Sequence, residues 1–266
     1  MAWKFFHIFA TWIFLSTAFG LSTLSLDSRP VRAQGTVTTE SEGLTTEWNS
    51  FEPPDRGTPG RRVGGGTRSR CPRAALELTA LVPETNLGRT VAAYPTLFFY
   101  VPGIPNSSEK VEFELVDAND PDRVLYKSLV SIPERGGTIA ISVPDDGSAT
   151  PLEPDTYYNW YLSFECDPNM LVGGWIERVE LATPLQDELE AASPGDRLAI
   201  YEREGLWYDL LAELFQLRQD RPADPLLEAR WQQLLATVKL DDRAEEPLLD
   251  LPMMPLEAPD APNEEF

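Results

Sequence analysis

The sequence predicts a mainly β protein: a seven-stranded antiparallel β-sandwich followed by three or four short helices. Three observations carry that expectation. Seven short apolar or alternating runs lie between residues 75 and 182, broken by Pro, Gly, Asn and Asp, with no helical period between them. One of those breaks, Leu152-Glu153-Pro154-Asp155-Thr156-Tyr157-Tyr158, has the spacing of a corner that turns a chain into a strand of a sandwich. After Leu181 the apolar period lengthens from that of a strand to that of a helix.

Taken in order, residues 1–33 read as a signal peptide. Lys4 supplies a short basic start, an apolar stretch runs from Phe5 to about Leu26, and Val31-Arg32-Ala33 places small residues where cleavage after Ala33 is expected. The apolar stretch is nearly long enough to span a bilayer, so an uncleaved anchor is the alternative reading. Cleavage removes Lys4, Asp27, Arg29 and Arg32 and leaves 19 basic and 42 acidic residues, a net charge of −23. The expectation is a soluble, acidic, extracytoplasmic protein, periplasmic or secreted. A chain this acidic repels nucleic acid and anionic lipid, and it has no basic patch to offset that repulsion.

Residues 34–70 are polar and rich in Gly, Pro, Ser and Thr, which predicts a disordered leader that cannot bury enough surface to offset its ordering cost. Gly64-Gly65-Gly66 lacks the Gly-Lys-Ser/Thr ending of a phosphate loop and reads as a hinge. The sandwich is expected over 71–182, with strands at 75–82, 95–101, 111–116, 123–130, 137–143, 157–164 and 172–182. Alternation in the sixth puts Tyr158, Trp160, Leu162 and Phe164 on one face and Tyr157, Asn159, Tyr161 and Ser163 on the other. The turn ahead of it resembles the L-x-P-x-T-x-Y corner of fibronectin type III domains, formed here by Leu152, Pro154, Thr156 and Tyr158. That resemblance implies a bond from the Tyr158 hydroxyl back to the backbone and an immunoglobulin- or fibronectin-like sandwich.

Helices are expected over 183–240. Thr183-Pro184, Ser193-Pro194 and Asp224-Pro225 each place a capping residue before a proline. Trp207, Leu210, Leu211, Leu214 and Phe215 make one helical stripe, and Leu227, Trp231, Leu234, Leu235 and Val238 make another. A helix hairpin this short must bury such stripes. One destination is its own sandwich. The other leaves Trp207, Tyr208, Leu211, Phe215 and Trp231 as a contact surface for a protein partner. Residues 241–266 are acidic and proline-rich and read as a disordered tail.

Two cysteines, Cys71 and Cys166, predict one disulfide in an oxidising compartment. The only histidine is His7, inside the signal peptide, so the processed chain has no Ser-His-Asp or Cys-His arrangement and no His-based metal site. No cofactor motif is present. Asp145-Asp146, Glu165 with Asp167, and Glu177 with Glu180 are the carboxylate pairs a glycosidase would need, and among 43 acidic residues they read as solvated loop groups. Asp117 to Asp122 alternates oxygen ligands but lacks the central glycine and the closing glutamate of a calcium loop, so it reads as a hairpin turn. Asn106-Ser107-Ser108 has the form of a glycosylation sequon.

Several blocks together are similar to a known family: RRVGGGTRSRC at 61–71, LTALVPETNLGRT at 78–90, YPTLFFYVP at 94–102, YYNWYLSFEC at 157–166, VGGWIERVE at 172–180 and the helical stretch 202–235. They resemble the cyanobacterial family catalogued as domain of unknown function 928. Ser69 departs from the glycine expected there. The resemblance implies an exported sandwich-plus-helices protein and carries no activity, ligand or catalytic residue. The functional expectation is a non-enzymatic extracytoplasmic module that binds or scaffolds another envelope or secreted protein. The alternative is a carbohydrate-active enzyme or carbohydrate-binding module using carboxylates and surface aromatics.

Overall fold

A computed structural model describes residues 60–64, 71, 77–105, 108–251 and 253–255. The segment read as a signal peptide, most of the segment read as a leader, the sequon's Asn106 and Ser107, and the last residues of the tail lie outside the described residues. Among the described residues the chain is mainly β, with two sheets and four helices. Strands β1 (Thr79–Ala80), β3 (Thr96–Val101), β6 (Gly137–Ser142) and β9 (Leu248–Leu249) form a four-stranded sheet in the order β1-β3-β6-β9. A six-stranded sheet has the order β10-β5-β4-β7-β8-β2. It contains β2 (Leu87–Thr90), β4 (Lys110–Asp117), β5 (Val124–Ser131), β7 (Thr156–Phe164), β8 (Asp167–Arg178) and β10 (Met253–Pro255).

Phe99 from β3 meets Phe113 of β4 at 6.2 Å and Trp160 of β7 at 5.3 Å between ring centroids, so the two sheets pack face to face through aromatic contacts. β7 alternates as its sequence does: Tyr158, Trp160, Leu162 and Phe164 are buried, while the residues between them keep solvent contact. β3 does not alternate. Leu97 to Val101 are all buried, because Phe99 points into the sandwich while Phe98 stacks on Phe215 of a covering helix at 5.1 Å.

That helix is α3 (Trp207–Asp220), preceded by α1 (Thr183–Ala191) and α2 (Pro194–Arg203) and followed by α4 (Pro225–Thr237). Two of the three expected caps form: the Ser193 hydroxyl accepts from the Asp196 N–H at 3.3 Å, and the Asp224 carboxylate accepts from the Leu226 N–H at 3.0 Å. At the third, Thr183 is already helical and makes no side-chain cap bond. Gly205, with φ of 69°, supplies the left-handed residue that separates α2 from α3.

Three expectations need correction. Seven strands become ten among the described residues: β2 lies parallel beside β8, β9 parallel beside β6, and β10 antiparallel beside β5. The segment read as leader is bound in over residues 61–64. Gly64 donates to the Leu78 carbonyl, Ala80 to that of Arg62 and Gly173 to that of Arg61, each at 2.8 Å. The tail is likewise structured through Pro255, with a 3₁₀ turn at Asp241–Arg243 and then β9 and β10. The physical reason is shared. These stretches are held by backbone hydrogen bonds to sheet edges, which composition does not register. Gly60 even requires its missing side chain, since a Cβ there would lie 1.9 Å from the Gly173 carbonyl oxygen.

Candidate functional site

The outer face of the six-stranded sheet is the candidate site. It arises from alternation alone: with Trp160 and Leu162 turned inward, Asn159, Tyr161 and Ser163 of β7 turn outward. Glu112 and Glu114 of β4 and Lys127 of β5 share that face. Lys127 Nζ lies 2.9 Å from Glu112 and 3.8 Å from Glu114. The Glu112 bond raises the lysine above its ordinary pKa. Tyr161, 37% exposed, sits in register with Glu114 on one side and Gly173 on the other. A Cβ at position 173 would come within 2.9 Å of the tyrosine ring, so the glycine lets Tyr161 lie over β8. Partial burial, with Glu114 nearby, raises its phenol pKa. Along the same face the Tyr157 hydroxyl donates to Glu177 at 3.1 Å, and Arg89 pairs with that carboxylate at 3.2 Å.

Among the residues singled out from sequence, Cys71 and Cys166 form the disulfide, with their Cα atoms 5.5 Å apart. It closes a separation of 95 residues, a constraint on the order of 4–5 kcal/mol in the chain-entropy account. Leu152 is buried beneath the corner, and the Thr156 hydroxyl donates to the Pro154 carbonyl at 3.0 Å. The Tyr158 hydroxyl bonds back to the turn as implied, but as an acceptor: the Glu153 N–H donates to it at 2.7 Å.

The helix-hairpin aromatics are placed differently from the partner-contact reading. Trp207, Tyr208, Leu211, Phe215 and Trp231 are all buried within the protein, at 0–7% exposure, and offer no contact surface. The cause is the depth to which the first turn of α3 penetrates. Trp207 Nε1 donates to the Leu81 carbonyl at 2.9 Å. The Tyr208 hydroxyl accepts from Trp160 Nε1 at 2.9 Å and donates to the Trp175 carbonyl at 3.1 Å, so it is bonded into the sandwich core. Gly88 of β2 makes the room, because a Cβ there would lie 2.4 Å from the Tyr208 ring. Burial pushes that phenol well above the ordinary tyrosine range. With Trp160, Trp175, Trp207 and Trp231 all buried, none of these indoles is free to stack on a ligand.

The carboxylate pairs are engaged locally: Asp146 accepts from Ser148, Asp167 from Asn169, and Glu177 from Tyr157. In the β4–β5 turn the Asp117 carboxylate accepts from the Asn119 N–H at 2.8 Å and pairs with Arg123 at 3.3 Å. Among the described residues no group of three or more His, Cys, Asp or Glu side chains comes together to hold a metal ion.

Sequence reasoning missed Asp209. This half-buried residue in the first turn of α3 accepts from the Val91 N–H at 3.1 Å and from Thr90, whose hydroxyl in turn accepts from the Ala92 N–H at 3.0 Å. Loss of solvent outweighs those donors and pushes its carboxyl up to about 7. Tyr201 of α2 faces it, with the Arg197–Glu213 pair close by. The available signal was a lone acid inside the apolar run Leu206-Trp207-Tyr208-Asp209-Leu210-Leu211.

The fold and its bridge therefore define a disulfide-bonded two-sheet protein with a helical C-terminal segment. Within that class, the chain belongs to the family described as Domain of Unknown Function (DUF928), whose model matches residues 63–248. No curated protein and no solved structure matches it.

Proposed function

We propose that the protein is a non-catalytic, extracytoplasmic binding module of immunoglobulin-like architecture that holds a protein partner on the outer face of its six-stranded sheet. Strand order supports the architecture. β1, β3 and β6 take the places of strands A, B and E, while β4, β7 and β8 take those of C, F and G, with β5 beside C. β9 occupies the position beside E that strand D would fill, and Tyr158 stands at the start of F. Export is supported by the disulfide together with the signal-like start. Among the described residues, no helix is long and apolar enough to cross a membrane.

The observation that carries the binding role is Tyr161: a large aromatic left exposed on an open sheet face while the helix-hairpin aromatics are buried. Tyrosine offers contact area at low entropic cost and is enriched at interfaces. Glu112, Glu114 and Glu177 stand among Lys110, Lys127 and Arg89 on this face, and the whole chain carries a net charge of −21, so the complementary partner presents a basic surface.

Affinity purification from the envelope of the source cells tests this. Wild-type protein is expected to retain a basic protein partner, and the variant carrying Tyr161→Arg with Glu114→Lys is expected to lose it while melting normally. Retention by the folded variant, or capture of polysaccharide in place of protein, overturns the proposal.

A further inference from the structure

Where the sandwich meets the helices there is a cleft of about 490 Å³, within the size range of small-ligand sites. Its walls come from three places: Val91 in the β2–β3 loop, Val179 and Leu181 just past β8, and Leu189 and Tyr201 on α1 and α2. Arg178, the last residue of β8, lies among them.

Arg178, like Arg62, is held by backbone carbonyls. Its Nε donates to the Val91 carbonyl at 3.3 Å, and a terminal nitrogen donates to the Leu152 carbonyl. These bonds fix the guanidinium without neutralising it, and no carboxylate among the described residues pairs with it. The other arginine of the cleft, Arg197, is already neutralised by two bonds to Glu213 at 2.8 and 3.1 Å. Glu180 and Glu190 also border the cleft but are exposed, where water and salt screen them. The half-buried charge that a ligand meets is therefore that of Arg178, in a group suited to bidentate recognition of a carboxylate.

α1 adds an independent observation. None of its residues is buried, yet Leu185 and Leu189 occupy one stripe and remain only half-covered, with Leu189 on the cleft wall. The helix is tied down by the exposed Arg203–Glu188 pair at 2.9 Å. An exposed ion pair contributes little, so an apolar body in the cleft would complete the packing that this helix lacks.

We propose that this cleft binds an amphipathic carboxylate, whose anionic end pairs with Arg178 and whose apolar body lies along Val179, Leu181 and Leu189. The site is separate from the sheet face and does not depend on the protein-binding role.

Calorimetric titration of the mature chain with sodium decanoate, below its micelle concentration, is the test. One saturable site is expected, with decylammonium binding at least about tenfold more weakly, as a charge-assisted bond requires. Arg178→Gln is expected to weaken decanoate by a similar factor. Since Arg178 also clamps two carbonyls of the fold, Leu189→Glu provides the second arm: it alters only the half-exposed wall and is expected to abolish binding with an unchanged melting temperature. Absence of saturable decanoate binding, equal binding of the two head groups, or full binding by Leu189→Glu overturns the assignment.

Discussion

The two sheets have been treated oppositely. In the four-stranded sheet, β3 is buried on both faces, inward against Trp160 and outward beneath Phe215. In the six-stranded sheet, β7 is buried on one face and presents Tyr161 to solvent on the other. The difference is already in the residue types. Leu97-Phe98-Phe99-Tyr100-Val101 is an unbroken apolar run, whereas Tyr157 to Phe164 interleaves Asn159 and Ser163 with its core residues. A continuous run in an antiparallel sheet signals a third layer, and here that layer is the helical segment. The helices therefore complete one sheet and leave the Tyr161 face of the other exposed.

The largest expected effect tests the covered face. Phe98→Ala removes the ring on which Phe215 packs and should cost about 3–5 kcal/mol, read from denaturant unfolding. A loss below about 1 kcal/mol would mean that the helices cover the sheet without relying on it.

An intermediate effect comes from Asp209, which ties α3 to the loop leading from β2 into β3. Its carboxyl, raised to about 7 in the folded state against an ordinary 3.8, binds a proton more tightly folded than unfolded. Its contribution to stability is complete below about pH 4, declines as pH rises towards 7, and is flat above that. The wild-type protein should lose on the order of a few kcal/mol from this group across that window, and Asp209→Asn should remove that part of the slope. Identical pH profiles for the two proteins would break the link between this buried acid and the seam.

The smallest effect tests the open face. Tyr161→Ala should change stability by no more than about 0.5 kcal/mol, because its ring lies on the surface over Gly173 and outside the core. A cost approaching that of Phe98→Ala would show that both sheets are load-carrying on both faces and erase the contrast.

Legibility in the sequence followed the range of the interaction. β3 through β8 were readable because their periodicity is local, as were the two apolar stripes of α3 and α4. The Cys71–Cys166 pairing followed from there being only two cysteines, and the corner from the spacing of Leu152, Pro154, Thr156 and Tyr158. β2, β9 and β10 were not readable, since two to four residues carry no period and are held by partners far along the chain. The open face was half visible: alternation marked Tyr161 as facing away from Trp160 but did not say whether anything lay over it.

By itself, then, the sequence determined the longer strands and helices, the residues that must be buried, and which two sulfurs join. Each depends on side-chain chemistry repeated over a few neighbouring residues. Only the tertiary structure decided where the buried surface went. Tyr208 enters the sandwich because Gly88, 120 positions earlier, leaves it room, and Arg178 is met by two carbonyls rather than by a carboxylate. Such pairings depend on distance in space, which no local pattern of residues encodes.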